Sequence, residues 1–346
     1  MVRKIVPAGV FLFFLAACPA QAREDLNKQL IQALSDGLDL QMSDVERVMS
    51  LLDAGADPDA VGEGGDTALM AAARNGDFQT VKLLVERGAE IDRRGNHSRT
   101  ALACAVQEGH AQVVRFLLDA GADPRMNDST GTPLLHYAVM GGYRDGRFQS
   151  YTEIAGMLLE KGVPVDGKDY AGNTPLMVAS SLGHADAIVL LLDHGADIEA
   201  QTPQENCAGP EPVGKGLVAD SLEGVVLKRM PAVDSSQDLD VSDRAIAIRP
   251  PCMTSLMMAA SAGRRDAVRI LLDRGANPNT LSHRTGMTAL MHAARTGDPK
   301  IVKMLLDRGA DFKIKDANGR TALAWAEEME NTKAAMLIRS AGAAES

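Results

Sequence analysis

The 27-residue stretch DTALMAAARNGDFQTVKLLVERGAEID, Asp66 to Asp92, returns four more times along this chain of 346 residues. It recurs as RTALACAVQEGHAQVVRFLLDAGADPR, NTPLMVASSLGHADAIVLLLDHGADIE, MTSLMMAASAGRRDAVRILLDRGANPN and MTALMHAARTGDPKIVKMLLDRGADFK. Such a period marks a stacked array, in which one unit cannot bury its apolar face without neighbours. The glycine expected to end each second helix falls at Gly55, Gly88, Gly121, Gly162, Gly195, Gly275, Gly309 and Gly342, at spacings of 33, 33, 41, 33, 80, 34 and 33 residues, which makes eight units. The two long spacings read as insertions of about 8 and 47 residues, not as lost copies.

Each copy carries the signals of two helices. Thr67, Thr100, Thr174, Thr254, Thr288 and Thr321 each precede an apolar run, where a hydroxyl caps the free amides of a helix start. Pro133 stands at the same phase in the fourth copy and suits a first helical turn. Small residues such as Ala72, Ala73, Ala293 and Ala294 let neighbouring first helices approach closely. Apolar residues at helical spacing follow, as in Val81, Leu84 and Val85. The closing glycine accepts the left-handed conformation that ends a helix.

A 33-residue unit that opens one helix with Thr-Ala/Pro-Leu and closes another with Leu-Leu-x-x-Gly-Ala resembles the ankyrin repeat. The resemblance implies an all-α fold: an ankyrin-repeat solenoid of eight stacked helix-turn-helix units with hairpin loops, interrupted by one long insertion. Residues 24–202 then form repeats one to five, 203–251 the insertion, and 252–344 repeats six to eight. The first and last units read as polar caps of an open stack, which implies a monomer. One departure stands out. The family's His after Thr-Pro-Leu survives only at His136; Met70, Ala103, Met177, Met257, Met291 and Ala324 replace it elsewhere. With its hydrogen bonds gone, the array is expected to lean more on apolar packing.

The first 22 residues read as an export signal. Arg3 and Lys4 precede the apolar run Ile5–Leu15, and Ala20 and Ala22 stand at the small positions before a cut ahead of Arg23. The same stretch holds a second reading: LAAC, Leu15 to Cys18, resembles the bacterial lipobox, which would lipidate Cys18. Both readings place the chain in the periplasm of a Gram-negative bacterium, free or anchored to the membrane through Cys18. The run is too short to span a bilayer comfortably, and no later run is long enough, so the mature chain is expected to have no transmembrane segment. A net charge of -10 argues against nucleic acid as a partner.

Catalytic and cofactor chemistry is thin. Gly209, Gly214 and Lys215 have P-loop spacing, but Gly216 replaces the hydroxyl, Pro210 and Pro212 remove amides, and Glu211 repels phosphate. No two histidines share a metal-ligand spacing, no nucleophile elbow occurs, and the chain is expected to be a non-enzyme without metal or cofactor. Cys104 sits inside a first helix as a small packed residue. Cys207 and Cys252 lie at the two ends of the long insertion, where they would close a loop of about 45 residues. A disulfide there would contribute roughly 4 kcal/mol by chain entropy. Within the insertion, GVVLKRM and AIAIR have the β-branched content of a hairpin.

Ankyrin proteins bind other proteins through a concave face built from hairpin tips and the exposed turns of first helices. Carried over by phase, the resemblance nominates Glu63, Asp66, Arg74 and Asn75, then Asn96, Arg99, Gln107 and Glu108. Later units contribute Tyr170, Asn173, Ser181, Leu182, Arg284, Met287, Arg295, Thr296 and Arg320. The shorter insertion, YRDGRFQSY, holds three of the nine aromatics outside the signal segment. Tyr143, Arg147 and Phe148 there have the composition of an interface hot spot. The competing reading has Phe148 and Tyr151 pack back onto the neighbouring repeat. The expectation is a periplasmic protein–protein interaction module for an unidentified partner, as an immunity protein or as an accessory to an exported enzyme. The alternative is a small-ligand or enzymatic role carried by residues 203–251.

Overall fold

The computed structural model describes residues 20–35, 42–141, 148–202 and 252–344. The chain divides into two compact units, one ending at Lys161 and one beginning at Gly162. Among the described residues, sixteen α-helices form eight consecutive pairs. The first unit holds α1 (Ala20–Ser35) with α2 (Met42–Asp53), and α3 (Ala68–Asn75) with α4 (Phe78–Glu86). It continues with α5 (Ala101–Gln107) and α6 (Ala111–Asp119), then α7 (Leu134–Met140) and α8 (Phe148–Glu160). The second unit pairs α9 (Pro175–Leu182) with α10 (Ala185–Asp193), and α11 (Ser255–Ser261) with α12 (Arg265–Asp273). It ends with α13 (Ala289–Thr296) and α14 (Pro299–Asp307), then α15 (Ala322–Glu328) and α16 (Thr332–Ala344). Within each unit, first helices pack on first helices and second on second. This is the ankyrin-type solenoid arrangement.

Local chemistry explains where the helices start. The hydroxyls of Thr67, Thr100, Thr174, Thr254, Thr288 and Thr321 accept the amide three residues on, at 3.2–3.4 Å. Pro133 is the residue before α7 rather than within its first turn. With φ near −65° and an extended ψ, it delivers the chain to the helix without a side-chain cap. Two of the methionines at the lost His position accept a backbone amide. The Thr67 amide donates to Met70 Sδ at 3.5 Å, and the Thr174 amide to Met177 Sδ at 3.4 Å, which are weak bonds to a thioether.

The repeated Leu-Leu-x-x-Gly-Ala is a helix-stop. Gly55, Gly88, Gly121, Gly195, Gly275 and Gly309 hold φ between 81° and 103°. The following alanine amide reaches back to the carbonyl of Leu51, Leu84, Leu117, Leu191, Leu271 or Leu305 at 2.9–3.0 Å. Those alanines are buried, completing the apolar contact of the motif. Nothing stands within 4 Å of a Cβ added at these glycines, so the backbone angle alone selects glycine. Gly342 departs from the expectation. It lies inside α16, because Ala343 and Ala344, strong helix formers, carry the helix past it.

The core is a layer of leucine, methionine and alanine from the first helices and of leucine, valine and isoleucine from the second. Burying one such large side chain contributes about 1.5–3 kcal/mol. The α15–α16 pair turns Glu327, Glu328, Lys333, Arg339 and Ser340 outward, with Met336 exposed among them. Residues 203–251, and with them the expected hairpin and the P-loop-like Gly209 to Gly216, lie outside the described residues.

Candidate protein-binding face

Hairpin tips and first helices position the candidate residues. Three tips are folded around an aspartate. Asp128 Oδ1 accepts the amides of Thr130 and Thr132, Asp169 Oδ1 those of Ala171 and Asn173, and Asp316 Oδ1 those of Asn318 and Arg320, all at 2.8–3.2 Å. An Asp side chain that satisfies amides two and four residues on replaces loose loop with a fixed turn. At two tips the second oxygen anchors an aromatic on the next helix. The Tyr137 hydroxyl donates to Asp128, and Trp325 Nε1 donates to Asp316 at 3.1 Å. Burial and the Asp128 carboxylate both push the Tyr137 phenol up, so it stays protonated.

In the first unit Asp66, Arg74 and Asn75 are engaged within the array, and Asn96 within its own tip. Asp66 and Arg74 form an ion pair across the start and end of α3. Asn75 Nδ2 donates to the Leu34 carbonyl of the preceding pair at 2.8 Å. Asn96 is exposed and accepts the His97 amide at 3.1 Å, while Arg99 is half-buried. Gln107 and Glu108 are half-buried at the end of α5, and Glu63 is exposed at its tip. Tyr143 and Arg147 lie outside the described residues; Phe148 opens α8, and its side chain lies outside them too.

Tyr151 decides one part of the shorter insertion. Its ring is 6% exposed, and its hydroxyl donates to the Gln107 carbonyl at 2.8 Å. The ring lies so close to Gly109 that a Cβ there would meet it at 2.7 Å. Tyr151 therefore packs back onto the preceding repeat.

In the second unit Tyr170 is 63% exposed on the tip held by Asp169. Asn173 Nδ2 donates to Asp169 Oδ2 at 3.2 Å. The Ser181 hydroxyl bonds the Val178 carbonyl at 2.8 Å, and Leu182 and Arg284 are half-buried. Met287 is 3% exposed, which corrects its nomination as a surface residue. It directly precedes the capping Thr288, and burying the thioether is favoured over presenting it to water. Arg320 lies 3.5 Å from the Trp325 ring centroid and pairs with Asp316 and Glu328, while Arg295 lies 5.9 Å from the same ring. The Thr296 hydroxyl donates to its own helix, at the His292 and Ala293 carbonyls. Of the nominated residues that are described, the exposed ones are Glu63, Asn96, Tyr170 and Thr296.

A second set of residues lies at the turn between paired helices, where His110 reads as structural by its family resemblance and sequence reasoning missed Arg264 and Asn331. His110 Nε2 bonds the Arg74 carbonyl at 2.9 Å, Arg264 Nε donates to the Ser181 carbonyl at 3.0 Å, and Asn331 Nδ2 donates to the Ala294 and Arg295 carbonyls at 2.9 Å. Each satisfies a carbonyl at the end of the preceding first helix, where carbonyls lack intrahelical partners. The signal was the polar residue after Gly109, Gly263 and the phase-matched Glu330, yet its reach to another repeat is a tertiary fact. The exposed tip residues Val61 and Leu281 were also missed.

The cysteines divide. Cys104 is a buried free thiol, and burial pushes its pKa up against the opposing pull of Arg74. Cys252 is buried and disulfide-bonded. Cys18 and Cys207 lie outside the described residues. Among the described residues no group of three or more His, Cys, Asp or Glu side chains converges as a metal site, and no helix is long and apolar enough to cross a membrane.

Comparison with known proteins agrees with the geometry. A family model described as "Ankyrin repeats (3 copies)" matches residues 40–128, 98–147, 120–202 and 256–344. The chain is similar to "Protein fem-1 homolog A" of Danio rerio, 38% identical over 84 residues, covering 22% of this chain and 14% of that protein. It is similar to "Ankyrin repeat protein nuc-2" of Neurospora crassa, 31% identical over 157 residues, covering 44% of this chain and 12% of that protein. "E3 ubiquitin-protein ligase XBAT33" of Arabidopsis thaliana is 28% identical over 174 residues, covering 44% of this chain and 33% of that protein. The chain thus spans a third or less of each of these relatives. Among solved structures, the ankyrin repeat domain of human ASB11 superposes with a TM-score of 0.57 at 21% identity, covering 79% of this chain and 98% of that one. The ankyrin repeat domain of Bcl-3 gives 0.56 at 25% identity, covering 80% and 100%.

Proposed function

Because the chain belongs to the ankyrin-repeat family, we propose that it works as a non-enzymatic module that holds one protein partner on its hairpin tips and first helices. The observation that carries this reading is Tyr170, an aromatic 63% exposed on a tip held in one shape by the Asp169 carboxylate. A rigid, exposed tyrosine offers large contact area at little conformational cost, the character of an interface hot spot. Thr296 is exposed on the same unit, and Glu63 and Asn96 are exposed on the first. Tyr170→Ala is expected to weaken capture of a stoichiometric partner about tenfold or more, which is about 1.4 kcal/mol. Equal affinity of the variant and the parent chain removes Tyr170 from the face.

The proposed compartment is the periplasm, with the module either free after a cut ahead of Arg23 or anchored through Cys18. Arg3, Lys4, the apolar run Ile5–Leu15 and the small residues Ala20 and Ala22 support it. Mass spectrometry of the mature N-terminus separates the two forms, and an intact Met1 in exported fractions contradicts both. The proposed partner of the bonded Cys252 is Cys207, and reduction is expected to add two alkylatable thiols at those positions. Periplasmic pulldown then identifies the partner as a toxin, for an immunity protein, or as an exported enzyme, for an accessory.

A further inference from the structure

His292 sits on α13 at 3% exposure, and neither ring nitrogen has a hydrogen-bond partner among the described residues. Buried polar groups are almost always paired, so an orphaned imidazole needs a physical account. The repeat supplies one. His292 stands four residues after its capping Thr288, the phase of Tyr137 after Pro133 and of Trp325 after Thr321. Both aromatics donate to a tip aspartate nine residues earlier, Asp128 and Asp316. Before α13 that backbone place belongs to Ser282. Its amide bonds the Met287 carbonyl at 3.0 Å and its carbonyl accepts the Gly286 amide at 2.9 Å, as Asp316 does with Arg320 and Gly319. This tip is one residue longer, and the Ser282 hydroxyl is taken by Thr285. The register that anchors Tyr137 and Trp325 leaves His292 without its carboxylate.

The charges around α13 offer no substitute. Burial first, and Arg295 on the same helix second, hold the His292 imidazole down to about 3. The packed α11 carries no titratable residue, and α14 brings the exposed Lys300 and Lys303, with Asp307 already paired to Lys303. From α15 comes Trp325 with Arg320 on its ring, alongside the outward Glu327 and Glu328, which pair with Arg339 and Arg320; Asp316 is already bound by Trp325 and Arg320. The tip itself adds His283, exposed, and Arg284, half-buried.

We infer that α13 is an acid-labile joint of the second unit, at which protonation of His292 breaks its packing between α11 and α15. The sign follows from proton binding. The folded ring binds fewer protons than the unfolded chain between about pH 6.5 and about 3. Stability from this residue is therefore complete above that window and lost as pH falls through it, by about tenfold in the folded-to-unfolded ratio per pH unit.

Urea unfolding of the full chain tests this, followed by the fluorescence of Trp325, the chain's single tryptophan, on the helix that packs against α13. His292→Met installs the residue type of the phase-matched Met258. Between about pH 6.5 and about pH 4.5 the parent chain is expected to lose about fiftyfold more in folded-to-unfolded ratio than the variant. Parallel pH profiles overturn the inference. Should the variant not fold, the ring-proton NMR titration of His292 in the parent chain decides: a midpoint near 6.5 in the native state overturns it, and an untitrated ring down to the onset of unfolding supports it.

Discussion

The tip that begins at Asp316 and the tip that begins at Ser282 occupy the same place in adjacent repeats and leave their helices in opposite states. At Asp316 one carboxylate bonds two amides, the indole of Trp325 and the guanidinium of Arg320, whose face lies on the indole. At Ser282 the hydroxyl is used within the tip, and the buried His292 imidazole behind it has no hydrogen-bond partner among the described residues. Both tips make the same main-chain bonds, at 2.9–3.0 Å. Backbone geometry is thus inherited from the period, whereas polar satisfaction depends on one side chain per repeat.

Substitutions can break this contrast or sharpen it. The largest effect is expected from Asp316→Ala, which strands the Trp325 indole and removes both amide bonds. It should cost about 3–5 kcal/mol in urea unfolding, because it leaves a buried network broken. A loss below about 1 kcal/mol, the worth of one ordinary hydrogen bond, would show that the tip does not need its carboxylate. Tyr137→Phe removes only the donor to Asp128 in the first unit. Its expected cost is about 1.5–3 kcal/mol, as for one bond to a charged group.

At pH 7.5 His292→Met is expected to run in the other direction. Replacing an unpaired buried imidazole by an apolar side chain of similar volume should raise stability by about 1 kcal/mol. A comparable loss there would mean that the imidazole has a partner after all. Glu330 gives a smaller gain. It takes the place of the inter-helix glycine with φ of 59°, so Glu330→Gly should add a few tenths to about 1 kcal/mol by relieving left-handed strain. Smallest of all, Tyr170→Ala should leave the melting temperature almost unchanged, as expected of an exposed side chain, while lowering partner capture.

Much of the fold is legible in the residues alone. The capping threonines, the helix-stop glycines and the pairing of helices follow from patterns within one repeat. The candidate face is legible as a set of positions but not as a set of available groups. Arg74, Asn75 and Arg320 sit where phase places them, yet each bonds within the array. Met287 escapes such reasoning because an apolar residue before a cap has no local mark of burial. Tyr151 admits two readings from its own segment, and the bare Gly109 of the preceding repeat, 42 residues away, accepts its ring.

Thirty-three-residue periodicity carries the secondary structure, the stop of each second helix and the order of stacking, because caps and left-handed turns are made by neighbours a few residues apart. Which polar side chains remain for a partner is a different matter. Asp59 accepts the Glu90 amide, Asp92 the Asp123 amide, Glu199 the Asn277 amide, and Asn279 the Asp311 amide, each in the next repeat. Bonds like these depend on the distance between stacked turns. The same distance clamps Tyr151 and stitches His110 to Arg74, and no residue pattern within a single repeat encodes it.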